Sequence, residues 1–295
     1  MHRLFRAASP PIDSSALAAR KIPSNLPSDI MAFLFHYPSR SSDRSASANL
    51  AFYQNRAAAH PRRLKVNELQ DELRGNWGEL EGRHDFIQWL FPIREQGVNS
   101  MAQPLELHEI EAIKTDPTAM ERLMESYVLL SISNLAHRPR SSCIAANKRL
   151  PHFSNSYRIM LAFYGMRLVS ETTGELTREE STPAPDSASF VRRYANLERN
   201  MHNFLRITRI LKCMDEFGLA RHPPSFLLFI LAEQSTHGHL TSPALVRSMD
   251  NYWRWCVRDD KDRQFVVQKV DEVRRGGTWT ENEYVRWVRK RAEET

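Results

Sequence analysis

The sequence predicts an all-α fold, an irregular multi-helix bundle of about eight to ten helices around one central, aromatic-rich helix. Two observations indicate this class. Apolar residues recur at helical spacing in several segments, as Leu107, Ile110 and Ile113 do within residues 104–114. No segment shows convincingly the alternation of polar and apolar residues that is typical of a half-buried strand.

Residues 1–48 are rich in serine, alanine, proline and arginine and lack periodicity, so we expect a disordered leader. An organelle transit peptide is the alternative, because basic residues outnumber acidic residues in the first part of this segment. Residues 33–37 (FLFHY) form a short apolar motif that we expect to dock on the domain. The helical domain itself is predicted to occupy residues 49–295.

The domain is predicted to consist of helices separated by turns that contain glycine or proline. Capping residues mark two helix starts: Asp116 stands before Pro117, and Thr280 is followed by Glu283 in a capping-box pattern. Residues 170–189 are predicted to be a loop. The predicted helices are 49–58, 64–73, a central helix near residue 86, 104–114, one from 116, 159–165, 190–217, 225–234, 241–257, 262–274 and one from 280.

Residues 84–99 (HDFIQWLFPIREQGVN) concentrate large apolar side chains, and the rest of the domain is expected to pack around them. These side chains lie on more than one helical face, so neighbouring helices must cover them from more than one side. A proline disfavours helical geometry in the residue before it, so the helix should end near Leu90 or Phe91, before Pro92. A turn through Gly97 follows.

The formal net charge of +6 would favour a nucleic-acid partner if it were concentrated on the domain. Much of it lies instead in residues 1–48 and 128–157, which leaves the rest of the chain near neutral. We therefore expect no nucleic-acid partner. Hydrophobic residues make up 41% and charged residues 26% of the chain, a balance that indicates a soluble globular protein.

The longest uninterrupted apolar run, residues 226–232, is far shorter than the roughly 20 residues that a membrane-spanning helix needs. We expect no transmembrane segment and a protein of the cytoplasm and nucleus, with peripheral membrane association left open. Cys143, Cys213 and Cys256 do not have metal-ligand spacing, so free thiols in a reducing compartment are expected.

Three blocks of the sequence carry a resemblance to a known family. They are residues 87–99 (IQWLFPIREQGVN), residues 49–55 (NLAFYQN) and residues 203–212 (NFLRITRILK). These blocks resemble, in the same order, motifs of the opioid growth factor receptor conserved domain family. Residues 87–92 repeat the family's aromatic block IQWLFP, and residues 94–99 are similar to its REPGVN, with glutamine in place of proline. Residues 49–55 are similar to its opening motif, and residues 203–212 to its NLRITRILK block.

The resemblance implies a non-enzymatic receptor domain that binds the opioid peptide Met-enkephalin, regulates cell growth and associates with the nuclear region. It implies protein partners and no cofactor. Two alternatives remain: a structural interaction domain with a different ligand, and an enzyme of unrecognised type. A glycine-rich phosphate loop, a G-x-S-x-G elbow and a paired Cys-x-x-Cys are all missing from the sequence, which argues against the enzyme.

A peptide pocket is predicted beside the aromatic block. A peptide of the opioid type has a cationic amino terminus and two aromatic side chains, so it needs a carboxylate and aromatic walls. The alternative is that the rings belong to the core and that the polar residues before them only begin the helix. The candidate ligand-binding residues are Glu81, His84, Asp85, Phe86, Trp89 and Phe91.

Arg206, Arg209 and Lys212 follow one side of a predicted helix and form a second candidate site, a stripe for an anion or an acidic partner. The alternative is an ordinary solvated or ion-paired surface. His237 and His239 could hold a metal, but such a pair in a predicted loop is more often exposed surface, so no metal site is predicted.

Residues 128–157 interrupt the resemblance and have no sustained period. Without them the apolar stripe of the preceding helix would continue into the next, and a helix interior is an unusual place for a natural insertion. We therefore hypothesise that residues 127–156 translate a retained intron, because the flanking codons can accommodate splice sites that join Ser126 to Tyr157. The alternative is a genuine loop. Sequencing the mature transcript across this region decides between them.

Overall fold

The computed structural model describes residues 14–124, 155–179 and 190–294. This part of the chain forms fifteen α-helices, a 3-10 helix at Trp253–Trp255 and a two-stranded antiparallel sheet, which confirms the predominantly helical class. The helices are shorter and more numerous than predicted. In order, the helices and strands are α1 (Ser14–Ala19), α2 (Ser28–Leu34), α3 (Ala48–Tyr53), α4 (Val66–Leu73), α5 (Trp77–Gly82), α6 (Ile87–Leu90), α7 (Leu107–Thr115), α8 (Pro117–Met124), α9 (Asn155–Phe163), β1 (Met166–Leu168), β2 (Leu176–Arg178), α10 (Phe190–Arg199), α11 (His202–Glu216), α12 (His222–His237), α13 (Pro243–Asn251), α14 (Asp260–Arg274) and α15 (Glu281–Glu293).

The chain divides into two compact units, which differs from the predicted single domain over residues 49–295. We call Arg44–Asn196 the middle unit. Met1–Asp43 and Leu197–Thr295 together form the terminal unit. The N-terminal segment therefore belongs with the C-terminal helices, although the two are far apart in sequence.

The expectation of a disordered leader is wrong from Ser14 onward. Helices α1 and α2 form there, and Ile30 and Phe33 of α2 are fully buried within the terminal unit. The expected docking of residues 33–37 is seen, since Tyr37 is buried as well. Helices of six and seven residues are too short to show a clear helical period in the sequence, which explains the error. Residues 1–13 lie outside the described residues.

The core of the middle unit contains α6, a single helical turn that ends before Pro92 as predicted. All four of its residues are buried, which confirms that the aromatic block is covered from more than one side. The hydroxyl group of Tyr53 on α3 donates hydrogen bonds to the carbonyl oxygens of Leu90 at 2.9 Å and Trp89 at 3.2 Å. Two of the three blocks that carry the family resemblance therefore contact each other.

Gln88 of α6 holds the turn that was predicted through Gly97. Its Oε1 accepts a hydrogen bond from the Asn99 backbone N–H at 2.6 Å, and its Nε2 donates to the Asn99 carbonyl at 2.9 Å. A Cβ added at Gly97 would lie 2.3 Å from the Gln88 side chain, so any larger residue would force Gln88 out of its hydrogen-bonded position. The spacing of these three residues in the block therefore has a structural reason.

A buried carboxylate fixes the start of α3. Glu109 of α7 is fully buried, and its Oε1 accepts hydrogen bonds from the backbone N–H groups of Asn49 at 2.9 Å and Leu50 at 3.1 Å. The first N–H groups of a helix have no partner within the helix, so an outside acceptor stabilises them. The opening block of the family resemblance is thereby attached to α7.

The core of the terminal unit is built around α12. This helix is apolar around most of its circumference and every residue from His222 to Gln234 is buried, as expected for a helix covered on all sides. It packs against α11, α14 and α15. Ser225 and Tyr284 share a hydrogen bond of 2.9 Å, and the Trp279 indole donates to the Leu228 carbonyl at 3.0 Å.

Both predicted helix caps are confirmed. Asp116 Oδ1 accepts hydrogen bonds from the backbone N–H groups of Thr118 and Ala119 at the start of α8, each at 3.0 Å. A hydrogen bond from Gln54, together with these backbone donors, holds the pKa of Asp116 below its usual value. Thr280 and Glu283 form the reciprocal capping box at the start of α15.

Two predicted segments differ in detail. The helix predicted over residues 190–217 is divided, because α10 ends at Arg199 and α11 begins at His202. The loop predicted over residues 170–189 contains β2, which pairs with β1 in an antiparallel hairpin.

Most of the predicted insertion at 128–157 lies outside the described residues, and residues 155–157 begin α9. Helices α8 and α9 pack against each other. Gln70 of α4 donates hydrogen bonds from one Nε2 atom to the Arg122 carbonyl and to the Ser156 hydroxyl, both at 3.1 Å. Gln70 therefore contacts both α8, which precedes the insertion, and the start of α9, and the retained-intron hypothesis stays a prediction.

Candidate functional site

The three rings that were predicted to line a peptide pocket are part of the core instead. Phe86, Trp89 and Phe91 are each 3% exposed or less. The Trp89 indole N–H donates to the His60 carbonyl at 3.0 Å, and the Phe52 ring centroid lies 5.3 Å from the Trp89 ring. The expectation of an open pocket with these walls is wrong, because neighbouring residues already cover the rings.

Asp85 belongs to a surface network of ion pairs. Its Oδ2 lies 3.2 Å from Arg62 Nε, and Arg62 also pairs with Glu72 and Glu79. This carboxylate is therefore already matched by a guanidinium group, which does not favour it as the partner of a peptide ammonium. His84 is exposed on the surface beside this network.

Glu81 takes part in a different site, a cavity of about 160 Å³ in the middle unit. We call it the Trp77 cavity. The Trp77 and Phe163 rings stack with centroids 6.4 Å apart and planes inclined by 24°. Its lining residues are Trp77, Glu81, Phe163, Arg192, Arg193 and Asn196.

Charges of both signs line the Trp77 cavity. The Arg193 guanidinium lies 4.3 Å from the Trp77 ring centroid and donates to the Ala162 carbonyl at 2.6 Å. Burial lowers the pKa of Arg193, although a guanidinium keeps its charge in proteins. Asn196 Nδ2 donates to Glu81 Oε2 at 2.6 Å. The cavity thus offers a carboxylate, an aromatic surface and cations within one small volume.

The sequence explains how these side chains come together. Trp77 and Glu81 are four residues apart on α5, so they lie on the same face of that helix. Asn76 caps α5 by accepting a hydrogen bond from the Glu79 N–H at 3.3 Å. The arginines come from α10, where Arg192 is exposed. The sequence analysis did not use the Trp77–Glu81 spacing, because it placed the peptide pocket beside the denser aromatic block of residues 84–99.

The predicted stripe on α11 is largely buried in the terminal unit. Lys212 is 1% exposed and its Nζ lies 2.9 Å from Asp29 Oδ2. Arg206 is buried and donates to Asn203 Oδ1 at 2.9 Å. Arg209, the third cation of the stripe, is half-buried. The stripe is therefore not an open anion site, since two of its three cations are enclosed and paired with residues of their own unit.

A larger cavity of about 390 Å³ lies between α14 and α15. Its floor is the stacked pair Phe265 and Trp287, with ring centroids 5.3 Å apart. Four of its charged side chains form ion pairs with one another, Arg291 with Asp262 and Lys261 with Glu294. We therefore choose the Trp77 cavity as the candidate site, although it is the smaller of the two.

His237 and His239 stack with ring centroids 6.0 Å apart, and His239 Nδ1 lies 3.1 Å from Glu233 Oε2. Within residues 14–124, 155–179 and 190–294, no group of three or more metal-binding side chains converges. In the same described ranges, no helix has both the length and the apolar character needed to cross a membrane.

The fold defines a predominantly helical protein of two compact units, one of which carries a small aromatic cavity with charges of both signs. The opioid growth factor receptor conserved region matches residues 42–133 and 141–283. The match covers most of the chain, so this chain belongs to the opioid growth factor receptor family. The resemblance carried by the three sequence blocks is confirmed. The match also includes residues 128–133 and 141–157, so only residues 134–140 of the predicted insertion interrupt it.

Relatives from two mammals are similar over most of this chain. The opioid growth factor receptor of Mus musculus is 31% identical over 241 residues, which are 81% of this chain and 32% of that protein. The opioid growth factor receptor of Homo sapiens is 32% identical over 219 residues, or 74% of this chain and 26% of that protein.

Opioid growth factor receptor-like protein 1 of Mus musculus is 29% identical over 242 residues, or 81% of this chain and 43% of that protein. The chain therefore spans less than half the length of the curated relatives it matches. No solved structure matches it.

Proposed function

We propose that this chain is a non-enzymatic receptor domain that binds a short peptide with a free amino terminus and an aromatic side chain in the Trp77 cavity. The relatives are named opioid growth factor receptors, and the peptide implied by the family resemblance is Met-enkephalin. One observation carries the proposal: a carboxylate, a stacked pair of rings and two guanidinium groups line one cavity.

The charges in the cavity are complementary to the two ends of a short peptide. Glu81 is the acceptor for the ammonium group, because a hydrogen bond between two charged groups is about twice as strong as a neutral one. The exposed Arg192 is the partner for a carboxylate. An aromatic ring of the peptide packs against Trp77, whose ring is already paired with a cation.

The size of the cavity limits what it encloses. Ligand pockets usually have volumes of about 300–1,000 Å³, and this cavity has about 160 Å³. It therefore holds one anchor side chain and the terminal ammonium, while the rest of the peptide lies on the surface. Glu81 and Arg193 are already held by hydrogen bonds, so their ordering costs little on binding.

The cavity favours recognition over catalysis. A guanidinium group remains protonated and cannot serve as a general base, and Glu81 accepts a hydrogen bond from the Asn196 amide group. Peptide recognition is the part that we assign to this domain. Regulation of growth, protein partners and location in the cytoplasm and nucleus are proposed for the whole protein by analogy with the family, because a fold alone does not fix a function.

Titration of the full chain with unlabelled Met-enkephalin, followed by isothermal titration calorimetry, tests the proposal, because both the amino terminus and the terminal carboxylate of the peptide stay free. Glu81→Gln should weaken binding at least about tenfold, as loss of a charge-assisted hydrogen bond predicts. Asp85→Asn makes the same change of charge at the rival carboxylate, outside the cavity, and should change affinity less than about twofold.

Acetylation of the peptide amino terminus provides the second arm. It should weaken binding to the natural chain as much as Glu81→Gln does, and should have little further effect on the Glu81→Gln variant. Binding that depends on Asp85 and not on Glu81 would place the peptide elsewhere. No saturable binding to the folded chain would favour the structural interaction domain with a different ligand.

A further inference from the structure

Two helices of the terminal unit enclose a groove that the proposed function does not use. Helices α14 and α15 both pack on α12, and they make only sparse contact with each other. The space between them is the cavity of about 390 Å³ described above. This volume lies within the range of about 300–1,000 Å³ that is usual for ligand pockets. We call this cavity the Trp287 groove.

Three aromatic rings form a platform at the base of the groove. The Phe265 and Trp287 rings lie face to face, with planes inclined by 12° and centroids 5.3 Å apart. The Trp279 ring packs edge-on against Phe265 with centroids 5.9 Å apart, and Trp279 is anchored to α12 by its indole N–H. Trp279 is buried, whereas Phe265 and Trp287 are half-buried. The core therefore fixes the platform from below and leaves two of its rings partly open to the groove.

An ion pair holds the platform in position before any ligand binds. Arg291 Nε on α15 lies 2.9 Å from each carboxylate oxygen of Asp262 on α14. The same guanidinium group lies 5.8 Å from the centroid of the Trp287 ring. Side chains that are already ordered lose little conformational entropy when a ligand binds, and this favours recognition.

The side chains that line the groove carry one excess positive charge. The cations are Lys261, Lys290 and Arg291, and the carboxylates are Asp262 and Glu294. Arg291 pairs with Asp262, and Lys261 Nζ lies 2.8 Å from Glu294 Oε2. The exposed Lys290 is therefore the cation whose charge is not matched within the lining. One carboxylate of a ligand would be complementary to this charge.

We propose that the Trp287 groove binds a short segment of a partner protein in which an aromatic side chain stands next to one acidic residue. The aromatic ring packs on Phe265 and Trp287, because pairs of rings attract one another beyond the effect of apolar burial alone. The acidic residue pairs with Lys290. A tryptophan at the centre of a cavity with polar side chains around it is typical of the residues that dominate binding at protein interfaces.

The distribution of charge favours a peptide over a single-stranded nucleic acid, which also offers rings and negative charge. A nucleic acid carries a phosphate at every nucleotide, and proteins bind it with a row of cations that follows its backbone. Asp262 and Glu294 interrupt such a row in this groove. A single acidic residue beside a single ring fits the one excess cation better.

Nuclear magnetic resonance of the full chain, isotopically labelled at the indole nitrogen of tryptophan, tests the proposal. The probe is the peptide acetyl-Gly-Asp-Phe-Asp-Gly-amide, which presents an acid to Lys290 in either chain direction. The Trp287→Phe and Trp77→Phe variants identify the two indole signals. We expect a saturable shift of the Trp287 signal and little shift of the Trp77 signal. The probe has no free amino terminus for Glu81, so the result is independent of the proposed function.

Two changes separate the contribution of the ring from that of the charge. Alanine in place of phenylalanine in the probe should weaken binding at least about tenfold, because the ring contact is lost. Lys290→Glu leaves the lining with one excess negative charge and should also weaken binding about tenfold. Arg247→Glu makes the same change at an exposed position of α13, outside the groove, and should change affinity less than about twofold. Both protein variants change exposed side chains, and unchanged circular dichroism verifies that they fold.

Four outcomes overturn the proposal. The Trp287 signal does not shift in a saturable manner at millimolar probe, or the alanine probe binds as tightly as the phenylalanine probe. Either result would show that the rings only join α14 to α15. Equal effects of Lys290→Glu and Arg247→Glu would show that the groove does not select an acidic residue. Tighter binding of an oligothymidine than of the peptide at the Trp287 signal would assign the groove to nucleic acid instead.

Discussion

Trp77 and Trp89 lie close in sequence, and each has an acidic residue nearby, yet their environments are opposite. Trp89 is 3% exposed, and its indole N–H is bonded to a carbonyl of the same unit. Trp77 is half-buried, and its ring faces a cavity that it shares with Glu81 and Arg193. The core supplies the contacts of Trp89, whereas part of the Trp77 ring stays open to the cavity.

The contrast predicts unequal losses of stability. Trp89→Ala should lower the free energy of unfolding by about 3–5 kcal/mol, because it removes transfer energy and leaves a cavity. Trp77→Ala should cost about 1–2 kcal/mol, since only part of the ring is buried. Urea denaturation of both variants measures the difference. Equal losses would mean that the two rings are equivalent parts of the core.

A second prediction concerns the terminal unit, where burial changes the pKa of a carboxyl group, that of Asp215. Asp215 accepts a hydrogen bond from the Arg258 N–H at 2.9 Å, and burial raises its pKa to about 6. The folded state therefore holds this proton at pH values where the unfolded state has lost it. Stability should fall by roughly 3 kcal/mol as pH rises from about 4 to about 6, and level off above that.

Asp215→Asn isolates this effect, because asparagine keeps the acceptor oxygen without titrating. The variant should be more stable than the natural chain at pH 7 and equal to it at pH 4. Thermal denaturation at several pH values gives the comparison. Parallel pH profiles for the two proteins would show that Asp215 does not carry the dependence.

Substitution in the turn at Gly97, which is held by Gln88 next to Trp89, should cause a smaller loss of stability. Gly97→Ala places a Cβ against the Gln88 side chain and should cost about 1–2 kcal/mol, as crowding in a packed site usually does. Adding Gln88→Ala removes the obstacle, so the double variant should lose less than the sum of the single losses. Urea denaturation of the three variants measures these losses. Strict additivity of the losses in unfolding free energy would show that Gln88 and Gly97 do not interact.

The smallest expected effect is a change in fluorescence quenching, which compares the solvent exposure of the two tryptophans without unfolding the protein. Trp77→Phe should remove more of the acrylamide-quenchable tryptophan fluorescence than Trp89→Phe does, because only Trp77 is open to solvent. Stern–Volmer plots of both variants provide the measurement. A larger loss for Trp89→Phe would place the exposed ring in the aromatic block.

Local sequence signals predicted the helical class, the end of α6 before Pro92 and the caps at Asp116 and Thr280. Each depends on neighbouring residues, so it can be read within a short window. The burial of Lys212 could not be predicted, because its partner Asp29 is remote in sequence. The cavity was missed for the same reason: Trp77 meets Phe163 only after α5 and α9 have packed.

The Gln70 amide donates to groups on both α8 and α9, so one side chain holds the chain before and after residues 125–154. Doubling the length of chain between two held points costs only about 0.6 kcal/mol of closure entropy. This part of the chain is therefore suited to accept a fluorophore or an affinity tag, whereas loss of residues 127–156 would remove Ser156 and one of the two hydrogen bonds.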